Sequence, residues 1–193
     1  MEYKTHNSKG FSIIETIVAI AILSFVMVAP LTLAQRSLNA SIYAQDQVTA
    51  FYLAQEAIEY VRNVRDNNNL AGLSGSSNWL SGFALCTPGK AGCGIDTNAQ
   101  TLIHCNNDPA RCNLTFDTAT GIYGEQRDSS GNPLAGWQNS IFTRSITVVT
   151  VPIGSDQNAE ADLVATVSWK TGLLQKSISV NEELFDWYPP PTQ

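Results

Sequence analysis

Charge is almost missing from one stretch of this chain, and histidine is scarce throughout. Between Phe11 and Ala34 the only ionisable side chain is that of Glu15. Two histidines in 193 residues leave little room for imidazole catalysis or a His-rich metal centre. His6 stands near the N-terminus and His104 beside Cys105. No Walker-type glycine loop, dinucleotide fingerprint or H-E-x-x-H pattern occurs, so the common nucleotide and metalloprotease chemistries have no support. The 11 basic residues are outnumbered by 17 acidic ones and form no clustered stripe. A nucleic-acid surface needs such a stripe, so no nucleic-acid partner is expected. No enzyme, cofactor or metal is expected either.

The apolar run Phe11–Ala34 is long enough to cross a bilayer, since as a helix it would measure about 36 Å. A cleaved secretory signal would have a shorter apolar core and a small-residue site after it, and no A-x-A-like site precedes Gln35. Lys4 and Lys9 precede the run, which favours a cytoplasmic N-terminus and places the bulk of the chain outside. An acidic side chain costs about 2.5–3.5 kcal/mol at the centre of a membrane helix. Glu15 therefore calls for a partner that offsets its charge. Pro30 removes a backbone donor inside the run, so a kink or local melting near residues 26–30 is expected.

Lys9-Gly10-Phe11-Ser12-Ile13-Ile14-Glu15, followed at once by the apolar run, resembles the start of type IV prepilins and of the pseudopilins of type II secretion. Their signature is a short basic leader ending in glycine, then phenylalanine, then glutamate as the fifth mature residue. The resemblance implies cleavage between Gly10 and Phe11 by a prepilin peptidase, with N-methylation of the new Phe11 amine. It also implies partnership with other pilin subunits through the N-terminal helix, with an inner-membrane assembly platform and with its ATPase. Cleavage would create an ammonium one helical turn before Glu15. Pairing of the two, within a chain or between staggered neighbours, offsets the desolvation of both charges and favours one register. Membrane lipid surrounds the anchor before assembly, and neighbouring helices replace it afterwards.

Beyond the anchor, residues 35–66 continue as an amphipathic helix. Ala50, Leu53, Ala54, Ala57, Val61 and Val64 fall on one stripe, and Gln55, Glu59, Arg62 and Asp66 on the opposite face. Glu59–Arg62 and Arg62–Asp66 have the spacing of surface ion pairs. The helix is expected to stop in Asn67-Asn68-Asn69. Counted from Phe11 to Asp66 it would be about 84 Å long.

Residues 67–138 form a loop-rich region with Cys86, Cys93, Cys105 and Cys112. Four cysteines allow three pairings; proximity favours Cys86–Cys93 with Cys105–Cys112, and an oxidising exterior suits the topology. Structural zinc fits the two Cys-x6-Cys spacings poorly. A Cys105–His104 catalytic pair is weaker still beside the disulfide reading. Asp128-Ser-Ser-Gly-Asn132 has oxygen ligands but lacks a full calcium loop, and reads as a turn. Asn113–Asp117 with Ile122-Tyr123 reads as a hairpin. Runs at Ile141–Ile153, Leu163–Lys170 and Leu174–Phe185 alternate at period two and read as an antiparallel meander, with a polar turn over Gly154–Glu160. The tryptophans at 79, 137, 169 and 187 read as core or sheet-packing residues.

The expected fold is therefore α+β. A leader (1–10) precedes a transmembrane half-helix (11–34) and an amphipathic half-helix (35–66). A variable cysteine region (67–138), an antiparallel sheet (139–187) and a tail (188–193) follow. Ala50–Glu59 and the closing strands also resemble PilV-type minor pilins. That resemblance implies a minor subunit that enters or primes an extracellular pilus. A secretion or competence pseudopilin and a pilus-displayed adhesive module are the alternatives.

Overall fold

The computed structural model describes residues 10–72, 78–90, 92–96, 99–105, 109–153, 156–172 and 174–187. All of the leader but Gly10, and the 188–193 tail, lie outside them. Two units divide the chain at Gln45/Asp46, and one helix, α1 (Ile13–Gly72), runs through both.

In the first unit every described residue is exposed, including Phe11, Ile13 and Phe25 at about 80 %. Ser12 starts the helix. Its carbonyl accepts from the backbone nitrogens of Glu15 and Thr16, and its Oγ accepts from Ile14 N at 3.4 Å. The expected melting at residues 26–30 does not occur, because helix continues through Pro30. A proline there forgoes a single hydrogen bond to the preceding turn, and the flanking Leu, Val, Met and Ala residues support the helix on both sides.

In the second unit the stripe of α1 becomes the floor of the core. Ala50, Leu53, Ala54, Ala57, Ile58 and Val61 are buried, and Val64 packs at the margin. The asparagines do not end the helix, which runs on to Gly72. Asn68 Nδ2 donates to the carbonyls of Trp79 (3.0 Å) and Ser81 (2.9 Å), and Asn69 is buried. Tertiary bonds thus hold in helix a sequence that would break it in isolation. Arg62 reaches Glu59 (2.5 Å) as expected, but not Asp66. Its Nε and Nη2 instead grip the Glu182 carboxylate (2.5 and 2.7 Å), and Asp66 takes Arg65. A partner across the sheet offers bidentate geometry that a neighbour along the helix cannot.

Among the described residues, seven strands make one antiparallel sheet: β1 (Cys93–Asp96), β2 (Thr101–His104), β3 (Asn113–Asp117), β4 (Tyr123–Gly124), β5 (Trp137–Ile153), β6 (Asp156–Thr171) and β7 (Leu174–Phe185). The closing meander β5–β6–β7 is present, and β3–β4 forms the expected hairpin with Phe116 opposite Tyr123. The polar 154–160 segment is not all turn. Strand β6 begins at Asp156, and a bulge between Val151 and Ile153 lets the pairing continue to Ile153 opposite Asp156. β5 is the organising strand. One edge pairs with β6 from Phe142 to Ile153; the other takes β3 (Asp117 opposite Trp137) and then β1 (Cys93 opposite Ile146). The variable region is therefore built onto the same sheet.

Alternation sends Phe142, Ile146, Val148, Leu163, Ala165, Val167 and Trp169 toward the core. Each large apolar side chain among them contributes about 1.5–3 kcal/mol of burial. Trp79 and Trp169 are buried as expected; Trp187 is 52 % exposed and donates its Nε1–H to Asp66. A polar ring edge can stay at the surface when it has an acceptor there.

Candidate functional site

The sequence singled out Gly10, Phe11 and Glu15, which lie at the very start of α1. Gly10 and Phe11 precede the helix and Glu15 occupies its first turn. A Cβ added at Gly10 would meet nothing within 4 Å, so no packing among the described residues calls for glycine there. The requirement for a glycine, if any, lies in whatever recognises this segment.

The hydroxyls of the anchor are all satisfied within the helix. Thr16 Oγ1 donates to Ile13 O (2.7 Å), Ser24 Oγ to Ile20 O (2.8 Å) and Thr32 Oγ1 to Ala29 O (2.8 Å), while Ser12 Oγ serves the cap. That arrangement suits a hydrocarbon surround, where each unsatisfied polar group costs several kcal/mol. Glu15 differs. Its carboxylate is exposed, with no hydrogen-bond or ion-pair partner among the described residues. The positive end of the helix is its one local source of stabilisation.

The four cysteines lie in the second unit. Cys86 joins Cys93 and Cys105 joins Cys112, with Cα–Cα distances of 5.0 and 5.6 Å. The first bond fastens the segment before β1 to the sheet, since Val148 N also donates to Cys86 O at 2.7 Å. With both pairs oxidised no free thiol exists among them, so neither a thiolate nucleophile nor a zinc thiolate can form there. His104 Nδ1 lies 3.3 Å from Cys93 Sγ, not against its chain neighbour Cys105. Asp128 folds its carboxylate into its own turn, accepting from Ser130 N and Asn132 N. The Asn132 and Ser130 backbone donors hold its carboxyl below the usual range. Three acids, half-buried Glu160 with exposed Asp162 and Glu183, gather oxygens within 4.8 Å of one another on β6 and β7 and could hold a cation.

One polar centre was not foreseen. Arg144 on β5 is fully buried. Its Nη1 donates to Glu56 Oε2 (2.6 Å) and Leu53 O (3.2 Å) on α1, and its Nη2 to Ile95 O (2.7 Å) on β1. Glu125, also buried, accepts from Ile95 N at 3.1 Å. Burial pushes the Glu125 carboxyl up to about 7, with Asp96 adding to the shift and Arg144 and Arg127 opposing it. The signal was there to be read. Period two puts Arg144 on the same face as Phe142 and Ile146, so a strand assignment already sends it inward.

Residues 5–29 match the prokaryotic N-terminal methylation motif. No curated protein and no solved structure matches the chain. Together with the exposed apolar helix α1, which is long enough to cross a membrane, the motif supports a type IV pilin-like, membrane-anchored precursor. Such a motif implies processing by a prepilin peptidase and assembly with other pilins.

Proposed function

We propose that this chain is a minor subunit of a type IV pilus. Its leader is removed between Gly10 and Phe11 at the cytoplasmic face, the Phe11 amine is methylated, and the head is displayed outside. The mature subunit then enters or primes a filament whose helices take the place of lipid around the anchor. Glu15 carries this reading: it is the one polar side chain of the anchor that the helix itself does not satisfy. The ammonium at Phe11, on the same chain or a staggered neighbour, supplies the missing charge and sets the register. The likeness of Ala50–Glu59 and of the closing strands to minor pilins supports a pilus over a secretion pseudopilus. The mechanism is assembly, not turnover.

Mass spectrometry of the chain recovered from its native membrane tests the proposal. The expected product begins at a methylated Phe11. An intact Met1, or a terminus near Gln35, overturns it.

A further inference from the structure

Strand β7, with 12 residues, is the long edge of the sheet. It pairs with β6 from Leu174 opposite Thr171 to Phe185 opposite Glu160, and with no other strand among the described residues. The other two edges are short, since β2 has 4 residues and β4 has 2. An open edge invites another strand, and proteins that avoid this blunt the edge with brevity, proline or a bulge. β7 contains no proline, and its register with β6 is unbroken.

Charge is what guards this edge. Lys176 stands opposite Trp169 and Glu182 opposite Leu163, so both lie on the core-facing side with Ile178, Val180 and Leu184. A strand added in an arbitrary register sets these charges against apolar side chains, which is unfavourable. One register differs. Antiparallel pairing with β7 of a second copy, centred on Ser179, puts Lys176 opposite Glu182, Ile178 opposite Val180 and Leu174 opposite Leu184, and each pair occurs twice. Both cores stay on one side of the joined sheet, because opposed residues share a face. Centring the pair on Ile178 sets Lys176 against Val180, and centring it on Val180 sets Glu182 against Ile178.

The surroundings of Glu182 favour the same register. Arg62 bridges Glu59 and Glu182, so one guanidinium serves two carboxylates and one negative charge is left in excess. Lys176 of the same chain lies about 20 Å along the strand from Glu182 and cannot answer it. Lys176 of a second copy is brought directly opposite. Leu174, 64 % exposed, gains apolar cover in the same step.

We propose that β7 is a self-complementary docking edge at which the heads of two copies of this chain join into one continuous sheet. The head portion of α1 runs along the sheet face, from Leu53 at Arg144 to Arg62 at Glu182. A two-fold axis normal to the sheet reverses every direction in its plane, so these portions run in opposite directions in the two copies. The copies therefore belong to different filaments, a use that rests on the pilus reading; the pairing itself does not.

The test is disulfide crosslinking of the full chain in detergent micelles, with one cysteine introduced at a time at exposed positions of β7. The native cysteines are already paired and stay silent. Ser179→Cys, on the two-fold axis, should crosslink to its own kind at least about tenfold faster than Ser177→Cys or Asn181→Cys, whose copies sit about 14 Å apart. Mixed together, the Ser177→Cys and Asn181→Cys chains should crosslink to one another. Adding Lys176→Glu to the Ser179→Cys chain sets like charges opposite each other twice and should slow crosslinking about tenfold. Equal rates at the three positions mean association through the anchor and overturn the proposal. So does the absence of any crosslinked dimer, or a Lys176→Glu chain that crosslinks as fast as its parent. None of these outcomes bears on the mass of the Phe11 terminus, which tests the pilus reading separately.

Discussion

The two units of this chain use apolar residues in opposite ways. Residues 13–45 are the richer in isoleucine, leucine and valine, yet none of them is buried within the chain. Residues from Ala50 onward are more mixed, yet they hold the entire described core, cemented by a buried arginine and two disulfides. Hydrophobicity alone does not tell which segment makes a core. What matters is whether the apolar surface is striped, so that a partner in the same chain can cover it, or all-round, so that lipid or other chains must. The first unit contributes to stability through its surroundings, the second through itself.

Substitutions on either side of that divide should separate. Glu15→Ala should have the largest consequence and the narrowest reach. Filament incorporation, scored by immunogold labelling or shear fractionation, should be lost. Urea unfolding of the solubilised head should stay within about 0.5 kcal/mol of the parent. Normal incorporation of that variant would sink the charge-pairing mechanism, and a destabilised head would break the contrast between units.

Arg144→Met inverts the pattern. It strips the carbonyls of Leu53 and Ile95 of a donor and leaves Glu56 without its cation. A loss of about 2–4 kcal/mol is expected in the same urea experiment, chiefly from the two carbonyls left without a donor, since Glu56 is partly exposed; leader removal, read from chain mass, proceeds as before. Retained stability would mean that apolar packing replaces the ion pair without cost, as happens at some buried pairs.

The smallest effect belongs to Glu125 and appears only with pH. Its folded-state carboxyl titrates near 7 against an ordinary value of 4.5, so the folded state holds the proton more tightly. Stability from this group is greatest at low pH and falls as pH rises from about 4.5 through about 7, by about 3 kcal/mol. Glu125→Gln should flatten that slope and leave the head more stable than the parent at about pH 8. Parallel pH profiles for the two proteins would show that the carboxyl is hydrated in solution and ordinary in its titration.

Much of the head could be read in advance, for reasons that differ by element. The β5–β6–β7 meander announced itself because period-two alternation is local and its connections are short. Leu163, Ala165, Val167 and Trp169 share a face in any register that buries one of them. The placement of β1 and β2 could not be read. Four-residue strands carry too little periodicity, and Cys93 reaches Ile146 across a long stretch of sequence. The helix end was misjudged for a related reason: Asn68 finds its acceptors at Trp79 and Ser81, which lie outside any local window.

The sequence by itself determined the anchor, its processing motif and the position of its one acidic side chain, because cleavage, membrane insertion and helix formation all act on contiguous residues. Tertiary structure decided what becomes of the arginines. Arg144, Arg62 and Arg127 occupy unremarkable places along the chain, and one is buried in the core, one clamps helix to sheet and one lines a cavity. The reason is range. A charge settles against whatever the fold brings within a few ångströms, and for Arg144 that is a glutamate 88 residues away.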